Sequence, residues 1–229
     1  MSAKLSSLEF ARALPDTVYE QLVDLLTWGE LPPNSSLSID GLSAQLGVSP
    51  TPIREALARL EATGLVKRQA RRGYRVAAPM SHQQMRELVD ARRVLEVGAI
   101  ERAMKNPEDL LFDLEDSYRR HQKTANRLLH LKANDSMQSA YRQYFKDDWS
   151  FHEAVLDHCG NRYIVQAVDS LSFRVHRMRQ TIGSGIPDAE FALAEHSAIL
   201  EAVRNRDTDA AIEAMKNHFD KLEQRVSVS

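Results

Sequence analysis

Apolar residues recur at helical spacing along most of this chain, and the breaks between the stripes are marked by proline, glycine and asparagine. Leu14, Val18, Leu22, Leu25 and Leu26 form the first stripe, closed by Gly29 and Pro32-Pro33. A shorter helix is expected around Asp40–Leu46, with Leu42 and Leu46 inward and Gly47 turning the chain. Then comes GVSPTPIREALARLEATGL, in which Ile53, Ala56, Leu57 and Leu60 stand at i, i+3, i+4 and i+7. Gly64 suits the left-handed position that stops a helix. Prolines at the mouth of this helix are tolerated because first-turn amides have no intrahelical partner. Either Ser49 caps and Pro50 opens the helix, or Thr51 caps and Pro52 does; proline's restriction on the residue before it leaves the choice open. After Gly64 the period changes. LVKRQ and YRVAA read as strands on either side of ARRG, a hairpin with Arg71, Arg72 and Gly73 at its tip.

Beyond Pro79 every segment reads as helix. Breaks at Asn106-Pro107, Asn134-Asp135, Gly160-Asn161, GSGIPD (183–188) and Asn205–Asp207 leave six helices, roughly 81–105, 107–132, 135–159, 161–182, 188–204 and 208–226. The predicted fold is mainly α: a winged helix-turn-helix domain over 1–79, followed by an all-α helical bundle over 80–229.

Composition narrows the function classes. No apolar run in the 229 residues approaches the ~20 needed to span a bilayer, and MSAKLSSLEF lacks the apolar centre of a signal peptide. A single cysteine, Cys159, excludes an internal disulfide, so a cytoplasmic protein with no membrane partner is expected. Glycine-rich phosphate loops and nucleophile motifs are absent from the sequence. The net charge of −2 conceals a local +5 over residues 54–75, where Arg54, Arg59, Lys67, Arg68, Arg71, Arg72 and Arg75 meet only Glu55 and Glu61. Such a stretch is either a solvated basic hairpin or a phosphate-binding surface. A turn, a proline-started helix and an arginine-tipped wing in sequence favour double-stranded DNA. Ser49, Thr51, Arg54, Arg59, Arg71, Arg72 and Gly73 are the candidate contacts, with hydroxyls and amides on phosphate and arginine on a guanine edge.

The bundle carries ionisable groups on apolar faces. Asp148 and His152, at i and i+4, share a face with Tyr141, Tyr144, Phe145, Val155 and Cys159. His196 falls among Leu193, Ile199, Leu200 and Val203, and His218 among Met215, Leu222 and Val226. Groups stranded in an apolar medium need partners. His196 and His218 each lie 11 residues from Asp207, the middle of a tight turn, so an antiparallel hairpin brings them to equal depth. With the Asp148–His152 pair opposite, three histidines and one carboxylate can form a cage for Zn²⁺, Ni²⁺, Fe²⁺ or Mn²⁺. Hydrogen-bonded core histidines are the competing reading. His82, His121, His130, His158 and His176 read as surface or ordinary packing.

The stretch LSAQLGVSPTPIREALARLEATGLVKRQARRGYRV resembles the DNA-binding domain of the GntR superfamily of bacterial transcription regulators. The resemblance implies operator contacts at Ser49, Thr51, Arg54 and the wing tip. Asp40 and Pro50 stand where some members carry arginine, so the operator sequence does not transfer. DWSFHEAVLDHCGN, EHSAILEAVRNRD and NHF resemble the FCD effector domain of the FadR-like branch. That implies a divalent metal on Asp148, His152, His196 and His218, completed by a small organic acid. ARRVLE resembles the first effector-domain helix, which makes Arg92 the candidate for the acid's carboxylate, against the plainer reading of an Arg92–Glu96 surface pair. The expected protein is a homodimeric transcription regulator, a repressor in the commoner family behaviour, on a pseudo-palindromic operator. The alternative is a helical metal-dependent enzyme acting on a small carboxylate.

Overall fold

The computed structural model describes residues 15–26, 30–69, 73–130, 137–182 and 188–228. Leu14, Gly29, Arg71, Arg72, the Asn134-Asp135 break and residues 183–187 lie outside that set, as does the side chain of His176. The backbone divides into two compact units, Met1–Met80 with Phe173–Thr181, and Ser81–Ser172 with Ile182–Ser229.

In the first unit, residues 15–26 form α1, followed by β1 (Ser36–Leu37), α2 (Ile39–Leu46), α3 (Pro50–Ala62), β2 (Val66–Gln69) and β3 (Gly73–Val76). Each boundary has a local cause. Ser38 accepts from the Gly41 amide to start α2, and Gly47, at φ 68°, ends it. Ser49 is the N-cap of α3, leaving Pro50 as its first helical residue and resolving the two starts that the sequence allows. Gly64, at φ 77°, closes α3. Leu22, Leu26, Leu42, Ile53, Leu57, Leu60, Val66 and Val76 form one core beneath the three helices and the sheet.

The wing has one more strand than the hairpin reading gives. The sheet order is β1-β3-β2, all antiparallel, with Ser36 opposite Arg75 and Leu37 opposite Tyr74. A two-residue strand squeezed between a turn and a helix cap is too short to show alternation, which is why the sequence hides it.

The second unit contains α4 (His82–Ala103), α5 (Pro107–Leu129), α6 (Met137–Asp157), most of α7 (Arg162–Ile182), α8 (Asp188–Arg204) and α9 (Thr208–Val228). A reciprocal capping box between Ser81 and Gln84 starts α4, and Pro107 opens α5. The side chains of Asn161 and Asp207 cap α7 and α9. Helix α4 packs on α9 and α6, α5 on α6 and α8, and α8 on α9. No helix among the described residues is long and apolar enough to cross a membrane.

Gly73 sits at φ 78°, and a Cβ there would come within 2.9 Å of the Leu37 carbonyl oxygen of β1. Gly73→Ala is therefore expected to destabilise the protein by about 1–3 kcal/mol, from positive-φ strain and the clash together. Urea unfolding of the two proteins checks this, and equal midpoints would remove the steric requirement.

Candidate functional site

The proline-started helix presents its front to solvent. Ser49, Thr51 and Arg54 are exposed, while Pro52, Ile53, Ala56 and Leu57 on the opposite face are buried. Ser49 caps by backbone geometry alone; its side chain makes no capping bond. Lys67 and Arg68 are exposed on β2. Arg59 is differently placed from the other candidates. It pairs with Asp16 at 2.6 Å and lies over the Tyr19 ring at 4.0 Å, so its guanidinium ties α3 to α1. Gly73 has the steric duty described above, which accounts for its identity without any ligand.

In the second unit the ligand-like residues of three helices meet. Helix α6 supplies Asp148 and His152, α8 supplies His196, and α9 supplies His218, and all four are buried. One ring nitrogen from each of His152, His196 and His218 lies within 4.8 Å of the others. The ring centroids stand 5.0–5.2 Å apart. A second group shares His196 and adds Asp148 and His121: Asp148 Oδ1 stands 4.0 Å from His196 Nε2 and 3.7 Å from His121 Nε2. His121, from α5, is wholly buried, and its Nδ1 lies 3.2 Å from His196 Nδ1. Of the two readings for His121, surface or ordinary packing, its burial overturns the first. Among the others, His82 bonds to the Val226 carbonyl, His130 to the Asn126 carbonyl and His158 to Asp113.

Carboxylates stand behind two of the rings. Glu96 of α4 accepts from His152 Nδ1 at 2.7 Å, and Glu195 of α8 accepts from His218 Nδ1 at 2.8 Å. Each carboxylate is also held by arginine, Glu96 by Arg92 Nε at 2.7 Å and Glu195 by Arg225 at 2.6 Å and 3.0 Å. With Nδ1 donating, the lone pair falls on Nε2 of both rings. The Nε2 atoms of His196 and His218 are buried and have no hydrogen-bond partner among the described residues. Converging nitrogens of this kind leave a deficit that a cation removes. The buried His/Asp cluster could hold a metal ion, and its donors suit a borderline divalent ion.

Burial pushes the His196 imidazole well below its ordinary range, and the neighbouring His218 adds to the effect. Burial also lowers His152, against the upward pull of Glu96. Burial alone would raise Glu96, but Arg92 and His152 outweigh it and hold the carboxyl at about 2. The His152 and His196 rings are therefore neutral near pH 7, the form that binds metal.

Arg92 corrects the surface-pair reading. Both members of its pair with Glu96 are about 1% exposed. The guanidinium lies 5.1 Å from the Trp149 and Phe219 ring centroids, and its Nη2 has no hydrogen-bond partner among the described residues. The sequence reading set His121 aside and did not single out Glu195. The signal for His121 was present, because Leu110, Leu114, Ser117, His121, Ala125 and Leu128 make one buried stripe of α5. For Glu195 the signal was weaker, a lone acidic residue beside His196.

Known proteins agree with both units. Residues 14–76 match the gntR family of bacterial regulatory proteins, and residues 87–221 match the FCD domain. The chain is 28% identical over 214 residues to BphR of Paraburkholderia xenovorans, an HTH-type transcriptional regulator, covering 91% of this chain and 83% of that one. It is 28% identical over 206 residues to the transcriptional repressor GlaR of Escherichia coli, covering 88% and 90%. Its fold is similar to that of a GntR transcriptional regulator from Rhodococcus sp. RHA1, with a TM-score of 0.79 at 20% identity over 94% of this chain and 98% of that chain. This chain belongs to the GntR family, in the FadR-like branch that joins a helix-turn-helix to an FCD domain. It is a DNA-binding transcription regulator, and the relatives are regulators too, which sets aside the reading as an enzyme.

The lowered histidines give the metal-free protein a pH dependence. In the unfolded chain His152 and His196 take up protons near pH ~6.5, whereas in the fold they resist, so the unfolded state binds more protons as pH falls. Stability is full above pH ~6.5 and is expected to decline steadily from there to pH ~5. Thermal melts of chelator-treated protein across that range measure it; a flat profile would contradict the buried, neutral rings.

Proposed function

We propose that this regulator acts as a homodimeric repressor on a pseudo-palindromic operator and leaves it when a small organic acid binds beside a divalent metal in the FCD domain. Asp148, His152, His196 and His218 hold the metal in this reading. Zn²⁺, Ni²⁺, Fe²⁺ and Mn²⁺ all suit such a donor set. When bound, the metal supplies a positive charge that attracts the acid's carboxylate. The observation that carries the reading is the pair of buried, unpartnered Nε2 atoms on His196 and His218, with the orphaned Nη2 of Arg92 nearby in the same core. Arg92 donates to the acid's carboxylate as well as to Glu96, and its Nη2 is the donor available for it. The class of ligand is further supported by similarity to the gluconate operon repressor of Bacillus licheniformis, 26% identical over 83% of this chain and 75% of that one; gluconate is itself a small hydroxy acid.

On the DNA side, Ser49 and Thr51 contact phosphate, Arg54 enters the major groove, and Arg71 and Arg72 are further contacts to the operator. Arg59 contributes by fixing α3 on α1, and Gly73 by shaping the wing. The acid acts by binding one arrangement of the effector helices better than another, which changes operator affinity.

Shift assays on the upstream region of the gene test the DNA half. Arg54→Ala is expected to weaken binding by about 1–3 kcal/mol, and Arg71→Ala/Arg72→Ala to weaken it with a shallower salt slope. Binding that ignores salt and both changes would defeat the assignment. For the metal half, His196→Ala is expected to lower both bound metal and thermal stability. Metal content equal to wild type, by elemental analysis, would remove the site.

A further inference from the structure

We infer that His121 is a positioning residue of the metal centre, which selects the tautomer and ring orientation of His196 as Glu96 and Glu195 do for His152 and His218. This rests on the metal reading given above. Of the three ring histidines, His152 and His218 have a carboxylate on Nδ1, whereas His196 has the imidazole of His121, at 3.2 Å. Two nitrogens at that distance cannot both carry protons or both be bare, so one donates. If His196 Nδ1 donates, the His121 proton sits on Nε2, facing the Asp148 carboxylate at 3.7 Å, and His196 Nε2 keeps its lone pair. The opposite assignment turns a bare His121 nitrogen towards that carboxylate and places a proton on His196 Nε2, which lies farther from the same oxygen, at 4.0 Å, and whose lone pair the metal reading requires. The first arrangement suits both ends. Phe151 lies parallel to the His196 ring, with centroids 4.0 Å apart and planes 6° apart, and so fixes the ring plane. What remains is the choice of which nitrogen faces inward, and His121 makes it. The resulting chain, Asp148 to His121 to His196, links two ligands of the same centre through a residue from a third helix.

Substitutions at His121 separate this role from direct ligation. Asparagine can place its amide oxygen where Nδ1 stands and can accept from His196, but it has nothing at the Nε2 position. Glutamine and leucine supply no acceptor at Nδ1. Zn²⁺ binding to the full chain would be measured by competition with a chromophoric chelator, with circular dichroism of the metal-free proteins as the folding control. Cobalt substitution adds an absorption spectrum that reports the ligand set. His121→Leu is expected to weaken Zn²⁺ binding by about 10–100-fold, whereas His121→Asn stays within a few-fold of wild type with an unchanged cobalt spectrum. Should the leucine variant not fold, His121→Gln, which keeps polarity and bulk, supplies the loss. Wild-type affinity in both the leucine and glutamine variants would overturn the inference and leave the metal reading standing. Loss in His121→Asn as deep as in His121→Gln, or an altered cobalt spectrum, would make His121 a ligand and overturn it as well. A wild-type protein that takes up no Zn²⁺ would remove the metal reading and this inference together.

Discussion

A histidine sunk in an apolar bundle brings two nitrogens that must be accounted for, and leaving one without a partner costs about 1–3 kcal/mol. In the FCD unit that demand is met across helices for one nitrogen of each of three rings. Glu96 of α4 holds His152 of α6, Glu195 of α8 holds His218 of α9, and His121 of α5 faces His196 of α8. These three bonds follow three of the helix pairs that pack together. The polar contacts and the apolar packing therefore specify the same arrangement, and the inner nitrogens point where they do because the outer ones are engaged.

The arginines behind the carboxylates extend the same logic. Arg92 and Arg225 offset the charge that Glu96 and Glu195 bring into the core, so the His152 and His218 imidazoles are each backed by an ion pair rather than by a bare anion. Arg92 has a second character. Its aromatic neighbours, Trp149 and Phe219, stabilise a cation without using up its hydrogen-bond donors. In the DNA-binding unit the division of labour among basic residues is just as clear. Arg59 is committed to α1 through Asp16 and Tyr19, whereas Arg54 one turn earlier stands exposed at the open end of the helix.

Much of this could be read from the sequence because single residues dictate local geometry. Pro50, Gly64, Pro107 and Gly160 mark boundaries that the structure keeps within a few residues, since no tertiary contact can restore a missing amide or easily supply a positive φ. The Asp148–His152 pair and the matched depth of His196 and His218 follow from helical rise and a tight turn. What could not be read lies in relations between distant elements. β1 pairs with β3 across most of the domain, so two residues carry no period of their own. His121 hides among Arg119, Arg120, Gln122 and Lys123, and only the phase of α5 as a whole turns it inward. Arg92 and Glu96 look like an exposed pair until α6 and α9 are packed around them.

The residues around the centre are scattered along the chain from Glu96 to Arg225, and the last helix contributes both a ring and an arginine. During synthesis, therefore, no earlier portion of the polypeptide contains the full donor set. The three-histidine cluster is therefore assembled only once α9 has emerged from the ribosome and folded back against α4 and α8.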